Sequence, residues 1–280
     1  MRIKILFLTA LTFLNVSSFA QDICVPVPSE KIIRQGLLSE NACGPAAILN
    51  ALQFGNENLQ SVYQKIPGES ANDKLIYIAD HYGKNASVVE KGKTLFGIDR
   101  GMMADDILPF FNAILGQYNV PQLQETYGDL AVGESTMAHL RRMHGYLVQS
   151  IRSGVPVVAS IRSFATQKDP NDGQMKWQGV AAHVILITKV PGELQPFQKG
   201  FNFEFIDPSN GTVEEGYLHI EDIRGFAAIK GSGSENFQWL DGSPFLLAVL
   251  PSLNLDTNRQ EWSSRTLMTL NYIVGSFQKD

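Results

Sequence analysis

Asn41-Ala42-Cys43-Gly44-Pro45-Ala46-Ala47-Ile48-Leu49-Asn50-Ala51-Leu52-Gln53-Phe54-Gly55 is the stretch on which the reading of this chain turns. From Cys43 to Phe54 it has helix character. Ala46, Ala47, Ile48, Leu49, Ala51 and Leu52 cover one broad apolar face, and Gly55 supplies a stop. Pro45 falls in the first turn, where a missing N–H costs nothing, and Ser39 and Asn41 are candidate caps. A cysteine at that tip is a candidate nucleophile, because the thiolate is the reacting species and needs a pKa below the free value of about 8.5. The positive end of a helix and a neighbouring imidazolium are the two devices that lower it. Cys43 has the first by position. Gly44 and Pro45 leave backbone N–H groups free to face a developing oxyanion.

The second device needs a histidine, and there are five. His139 and His144 share a helical pattern with Arg141 and Arg142 and read as solvated or half-buried, while His81 and His219 have no supporting pattern. His183 opens the run His-Val-Ile-Leu-Ile-Thr, at the start of a buried strand after a polar loop, where a scaffold can present a side chain to a cleft. A structural histidine is the bland alternative. About twenty residues later Phe205-Ile206-Asp207-Pro208-Ser209-Asn210-Gly211 ends a strand in a carboxylate and a turn. Asp207 on an adjacent strand can accept the ring N–H of His183 and fix its tautomer, although Asp-Pro followed by Asn-Gly is also plain turn chemistry.

Elsewhere, helical patterns cover 58–66, 72–82, 97–111 and 136–153, the last carrying Leu140, Met143, Leu147 and Ile151 on one side. Strand patterns follow at 155–161, 182–190, 201–206 and 245–250, with polar loops at 165–179 and 230–244 and a final helix expected over 256–276. Helices first and strands later imply an α+β domain, its N-terminal helical part carrying the nucleophile helix and packing on an antiparallel β-sheet.

Four motifs in order carry a resemblance. Asn41 to Ala47 with Asn50-Ala51-Leu52 resembles the nucleophile helix of the bacteriocin-processing (leader-peptide) peptidases and their stand-alone relatives, members of the papain-like cysteine peptidase clan. Gly154-Val155-Pro156-Val157-Val158 resembles the strand before their histidine, Ala182 to Ile187 their histidine strand, and Ile206-Asp207-Pro208 with Gly211 their acidic third member. The resemblance spans roughly residues 33–250 and implies a papain-like fold. It also implies a Cys43–His183–Asp207 triad, a thioester acyl-enzyme, a peptide or protein substrate and no cofactor. The family places an oxyanion-hole Gln about six residues before the nucleophile. Leu37 stands there in this chain and Gln35 lies eight before, so the resemblance assigns that role to Gln35 if the lead-in bulges by two residues. Acyl transfer to an acceptor other than water, as in a transpeptidase, and a catalytically inactive peptide-binding module are the competing expectations.

The first twenty residues have the form of a secretory signal peptide: Arg2 and Lys4, an apolar stretch from Ile5 to Leu14, and Ser18-Phe19-Ala20 before the cut. The mature chain, 21–280, is expected to be one domain, exported to a periplasm or secreted, with no stable membrane insertion. Two cysteines in an exported chain ordinarily form a disulfide, so a Cys24–Cys43 bridge stays open beside the nucleophile reading. The 280 residues are 44% hydrophobic and 18% charged, ordinary for a globular protein, and carry a net charge of -5. No Lys/Arg run offers a nucleic-acid footprint. No tight His, Cys or carboxylate spacing marks a metal site, and no Gly-rich phosphate loop follows a strand.

Overall fold

In the computed structural model, residues 21–168, 175–221, 246–253 and 266–279 are described; the segment 1–20, expected as a signal peptide, lies outside them. A short strand β1 (Asp22–Cys24) leads into helix α1 (Cys43–Phe54), followed by α2 (Glu57–Lys65) and α3 (Ala71–His81). A two-residue hairpin, β2 (Phe96–Gly97) and β3 (Gly101–Met102), precedes α4 (Ile107–Gln117), β4 (Gln124–Tyr127) and α5 (Thr136–Arg152). Strands β5 (Val157–Lys168), β6 (Met175–Pro191), β7 (Gly200–Asp207), β8 (Thr212–His219), β9 (Leu246–Val249) and β10 (Thr266–Gly275) complete the order.

The helix boundaries follow local chemistry. Asn56 and Ser135 cap α2 and α5 by accepting N–H bonds from Leu59 and Ala138, and Ser70 with Asp73 forms a reciprocal capping box on α3. The segment 97–111, expected as a helix, splits. Gly97 and Gly101 turn the chain back as the β2–β3 hairpin, and the helix starts only at Ile107.

The expected papain-like α+β arrangement, a helical part packed on an antiparallel sheet, is corrected by the strand pairing. All pairs are antiparallel, in the order β6-β5-β10-β9-β8-β7, and β7 pairs back onto β6, so six strands close into a barrel. Strand β1 adds to β6 and β4 to β10 outside the ring. Closure depends on segments that the sequence pattern hid. The expected loop 165–179 is largely the continuation of β5 and β6, paired from Val157↔Ile187 out to Lys168↔Met175. The expected helix over 256–276 is strand from Thr266 to Gly275, inserted between β5 and β9; residues 256–265 of that expectation, and the loop 230–244, lie outside the described residues. Thr266, Thr269, Tyr272, Ile273 and Val274 are β-branched or aromatic, and a strand buried on both faces shows no alternation to betray it.

Helix α1 packs against β6 and β5 on one side and α2 and α3 on another. Every residue from Gly44 to Leu52 is buried, so the helix is apolar all round rather than on one face. Its one polar interior residue, Asn50, is fully buried and receives the Ile33 N–H while donating to the Ile33 carbonyl, both at 2.9 Å. That bridge ties the lead-in to the helix. Among the described residues, no helix is long and apolar enough to cross a membrane.

Candidate active site

The N-terminal cap of α1 is Ala42, and neither Ser39 nor Asn41 acts as the expected cap. The Asn41 amide instead donates to the Ile98 carbonyl at 3.1 Å. An alanine cap has no oxygen to offer the first N–H groups of the helix. Pro45 brings none, and the Ala46 N–H is already bonded to the Ala42 carbonyl at 3.0 Å. The unclaimed donors therefore fall at Cys43 and Gly44. The Gly44 N–H is spent on the Cys43 sulfur, which also accepts the Val184 N–H of β6. Alternation along β6 produces this: the Ala181 N–H turns to Ser163 Oγ of β5 at 3.1 Å, and Val184, three residues on, turns the other way toward the sulfur.

His183 hydrogen-bonds the Cys43 thiol through one ring nitrogen, while Nε2 donates to Asp207 Oδ1 at 2.8 Å. The β6–β7 register pairs Leu186 with Ile206. Continued one step, it sets Asp207 opposite Ile185, so Asp207 and His183 are diagonal neighbours on one face, within reach of long side chains. Besides His183, two donors of the following turn hold Asp207, and one of those residues also meets the ring. The Ser209 N–H donates to Oδ1 at 2.8 Å, the Asn210 side-chain amide donates to Oδ2 at 2.9 Å, and the Ser209 hydroxyl lies 3.4 Å from His183 Nε2. His183 and Asp207 are 6% and 1% exposed, so their charges act at short range with little screening.

Burial works against the thiolate of Cys43, but the hydrogen bond and charge of His183, with the two backbone N–H groups, outweigh it and hold the thiol below its ordinary value. For His183, burial disfavours the imidazolium; the hydrogen bond to Asp207, then the bond and charge of Cys43, overcome that penalty and push the ring up to about 9. Burial likewise opposes the Asp207 carboxylate, and the hydrogen bond and charge of His183 with the Ser209 contacts keep it below the usual carboxylate range. The arrangement suits a thiolate–imidazolium pair steadied by a carboxylate. Neither a family model, nor a curated protein, nor a solved structure matches the chain. Its chemistry is therefore read from its own atoms.

Cys43, His183 and Asp207 thus come together, and the Gln35 amide is bonded to a backbone carbonyl of its own lead-in segment. Gln35 lies in a short 3-10 turn, 5% exposed, its N–H bonded to the Pro208 carbonyl at 2.8 Å and its amide donating to the Glu40 carbonyl at 2.5 Å. Its Oε1 is buried with no partner among the described residues. Through Pro208 it braces the turn that carries Asp207. Cys24 and Cys43 are both free thiols. Cys24 pairs with Lys189, five residues and on the order of 16 Å along β6 from Val184, beyond the reach of a disulfide.

His139 and His144, expected to be solvated or half-buried, are both buried. His144 bonds the Pro191 carbonyl through Nε2 at 2.7 Å, and burial first, then the Arg142 charge, lowers His139 to about 4. Among the described residues no three His, Cys, Asp or Glu side chains are grouped to hold a metal ion.

A cleft of about 280 Å³ opens beside the sulfur. Met102, Met103 and Ala104 form one wall, and Gly179 to Val184 of β6 another. Asn271 joins them because a bulge between Leu270 and Tyr272 breaks the β10–β5 register there. Segments 102–104 and 179–184 thus supply most of the lining. Trp177 is buried and lies outside the lining. Sequence reasoning missed Asn210 and Ser209 as supports of Asp207, and an Asp-x-Ser-Asn turn directly after a strand was the available signal.

Proposed function

We propose that the chain is an exported cysteine hydrolase of peptide or amide bonds. The observation that carries the reading is the hydrogen-bonded chain from the Cys43 thiol through His183 to Asp207, set at an uncapped helix tip beside a cleft. The Cys43 thiolate adds to the substrate carbonyl and forms a C–S bond. The C–N bond breaks, and the leaving amine takes the proton from His183. Water then adds to the thioester carbonyl, giving a proton to His183, and the sulfur leaves as thiolate. The oxyanion is met by the backbone N–H of Cys43, the donor at the helix tip not already turned to the sulfur. The Gln35 amide joins it only by giving up the Glu40 carbonyl. Asp207 holds the ring and offsets its charge.

The ordered motifs shared with the leader-peptide peptidases support a peptide bond as the target, and the signal-like first twenty residues support export. The test is covalent labelling by a thiol-directed electrophile at pH 7, with mass mapping of the modified residue. Labelling should be lost in Cys43→Ser and kept in Cys24→Ser; equal labelling of both cysteines counts against a special nucleophile. Hydrolysis in the presence of an added amine separates a hydrolase from an acyltransferase, which shares the thioester.

The Gln35 contact favours a second reading, a peptide-binding module without turnover. A variant Gln35→Ala with unchanged hydrolysis removes that objection.

A further inference from the structure

The cleft adjoins the Cys43 sulfur, so its walls meet part of any substrate whose carbonyl is bonded there. One wall is thioether. A Cβ placed on Gly44 would stand 3.1 Å from Met102 Sδ and 3.2 Å from Met102 Cβ, so Met102 packs directly on the backbone step next to the nucleophile. The hairpin bearing it is fixed. Phe96 pairs with Met102, the Asn41 amide holds the Ile98 carbonyl, and Gly101 sits at φ 76°, where a side chain would meet the Asn41 carbonyl at 3.0 Å. Arg100 ties the turn to Glu90 at 2.8 Å. Across the cleft, Gly179, Val180, Ala181 and Ala182 are small, and their size leaves the gap.

Charge points the same way. Among the described residues no carboxylate lines the cleft to pair with a Lys or Arg side chain. Besides the Cys43–His183 pair, Arg162 is the charged residue of the lining; it stands opposite Ala182, and its guanidinium lies over the Phe164 ring at 5.5 Å and against Gly179. Gly179 is four residues, about 13 Å, along β6 from His183, whereas Met102 packs on the residue beside the sulfur. The volume, about 280 Å³, is at the lower limit of small-molecule sites and fits a residue or two rather than a folded surface.

We infer that the cleft selects substrates whose attacked carbonyl belongs to a residue with a medium or large apolar side chain, such as Leu or Met, seated against Met102 and Met103. This rests on the cysteine-hydrolase reading. The test uses the full mature chain with Cys24→Ser and a set of peptidyl acyloxymethyl ketones differing only in the residue that carries the ketone. Leu and Met reagents should inactivate about 10- to 100-fold faster than Gly, Lys or Glu reagents, the range expected for burying one such side chain. Met102→Gln, similar in length and neutral, should cut that ratio about tenfold, and Met102→Leu should retain it, separating lost apolarity from a damaged fold. A flat ratio, or fastest inactivation by Lys or Glu reagents, overturns the inference. Iodoacetamide distinguishes the two levels: rapid alkylation of Cys43 with a flat ketone series sinks the specificity alone. Alkylation no faster than that of an ordinary thiol sinks the enzyme reading and the specificity with it.

Discussion

Replacing His183 by alanine isolates the electrostatics of the sulfur without requiring a known substrate. In the intact site burial raises the Cys43 pKa, and His183, with the Val184 and Gly44 N–H groups, brings it below the ordinary 9.0. The largest lowering influences are the hydrogen bond and charge of His183. Without them burial remains, opposed only by two backbone donors. An unperturbed thiol with a pKa of 9.0 is about 1% thiolate at pH 7. The variant should fall to that level or below, and each tenfold loss of thiolate corresponds to about 1.4 kcal/mol.

The assay is the second-order rate of iodoacetamide alkylation from pH 5 to 10 in a Cys24→Ser background, with thiolate absorbance near 240 nm as a second readout. The intact protein should alkylate readily well below pH 9. His183→Ala should lose at least about tenfold at pH 7 and regain rate only at or above the ordinary thiol range. A variant that alkylates at pH 7 within twofold of the parent would refute the reasoning, because the helix tip would then suffice.

Other consequences follow from the same contacts. Asp207→Asn removes the carboxylate charge that helps raise His183; the alkaline fall of hydrolysis, set by His183 near pH 9, should shift to lower pH while the acid limb moves less, and an unchanged profile makes Asp207 a bystander. His183, raised to about 9, contributes stability that is whole below pH 6.5 and is lost as pH rises toward 9, whereas the lowered Cys43 contributes stability that is whole above its ordinary 9.0 and is lost as pH falls. The two slopes oppose each other in the parent, and Cys43→Ser leaves the His183 part alone; urea unfolding at pH 6 and 9 should show a larger loss with rising pH in this variant than in the parent. Asn50→Ala orphans the buried Ile33 N–H and carbonyl and should cost about 2–4 kcal/mol in urea unfolding, a small loss meaning that water replaces the amide.

Local order in the sequence was enough for the nucleophile helix and for its candidate partners. Cys43 precedes an uninterrupted apolar run, His183 starts a β-branched run, and Asp207 ends one, each within a window of about ten residues. Asn210 and Ser209 were equally local and went unread, because turn chemistry explained them too well. What no window contained was the closing of the sheet. Strand β10 pairs with β5 about a hundred residues away and is buried on both faces, so it presents neither alternation nor a neighbour in sequence. The same nonlocality placed Met102 against Gly44 and turned the Gln35 amide to Glu40. Residue types and short-range periodicity told which groups can do chemistry. Only tertiary structure decided which of them meet, because hydrogen-bond register and packing between distant segments are set by the whole barrel and not by any one stretch of it.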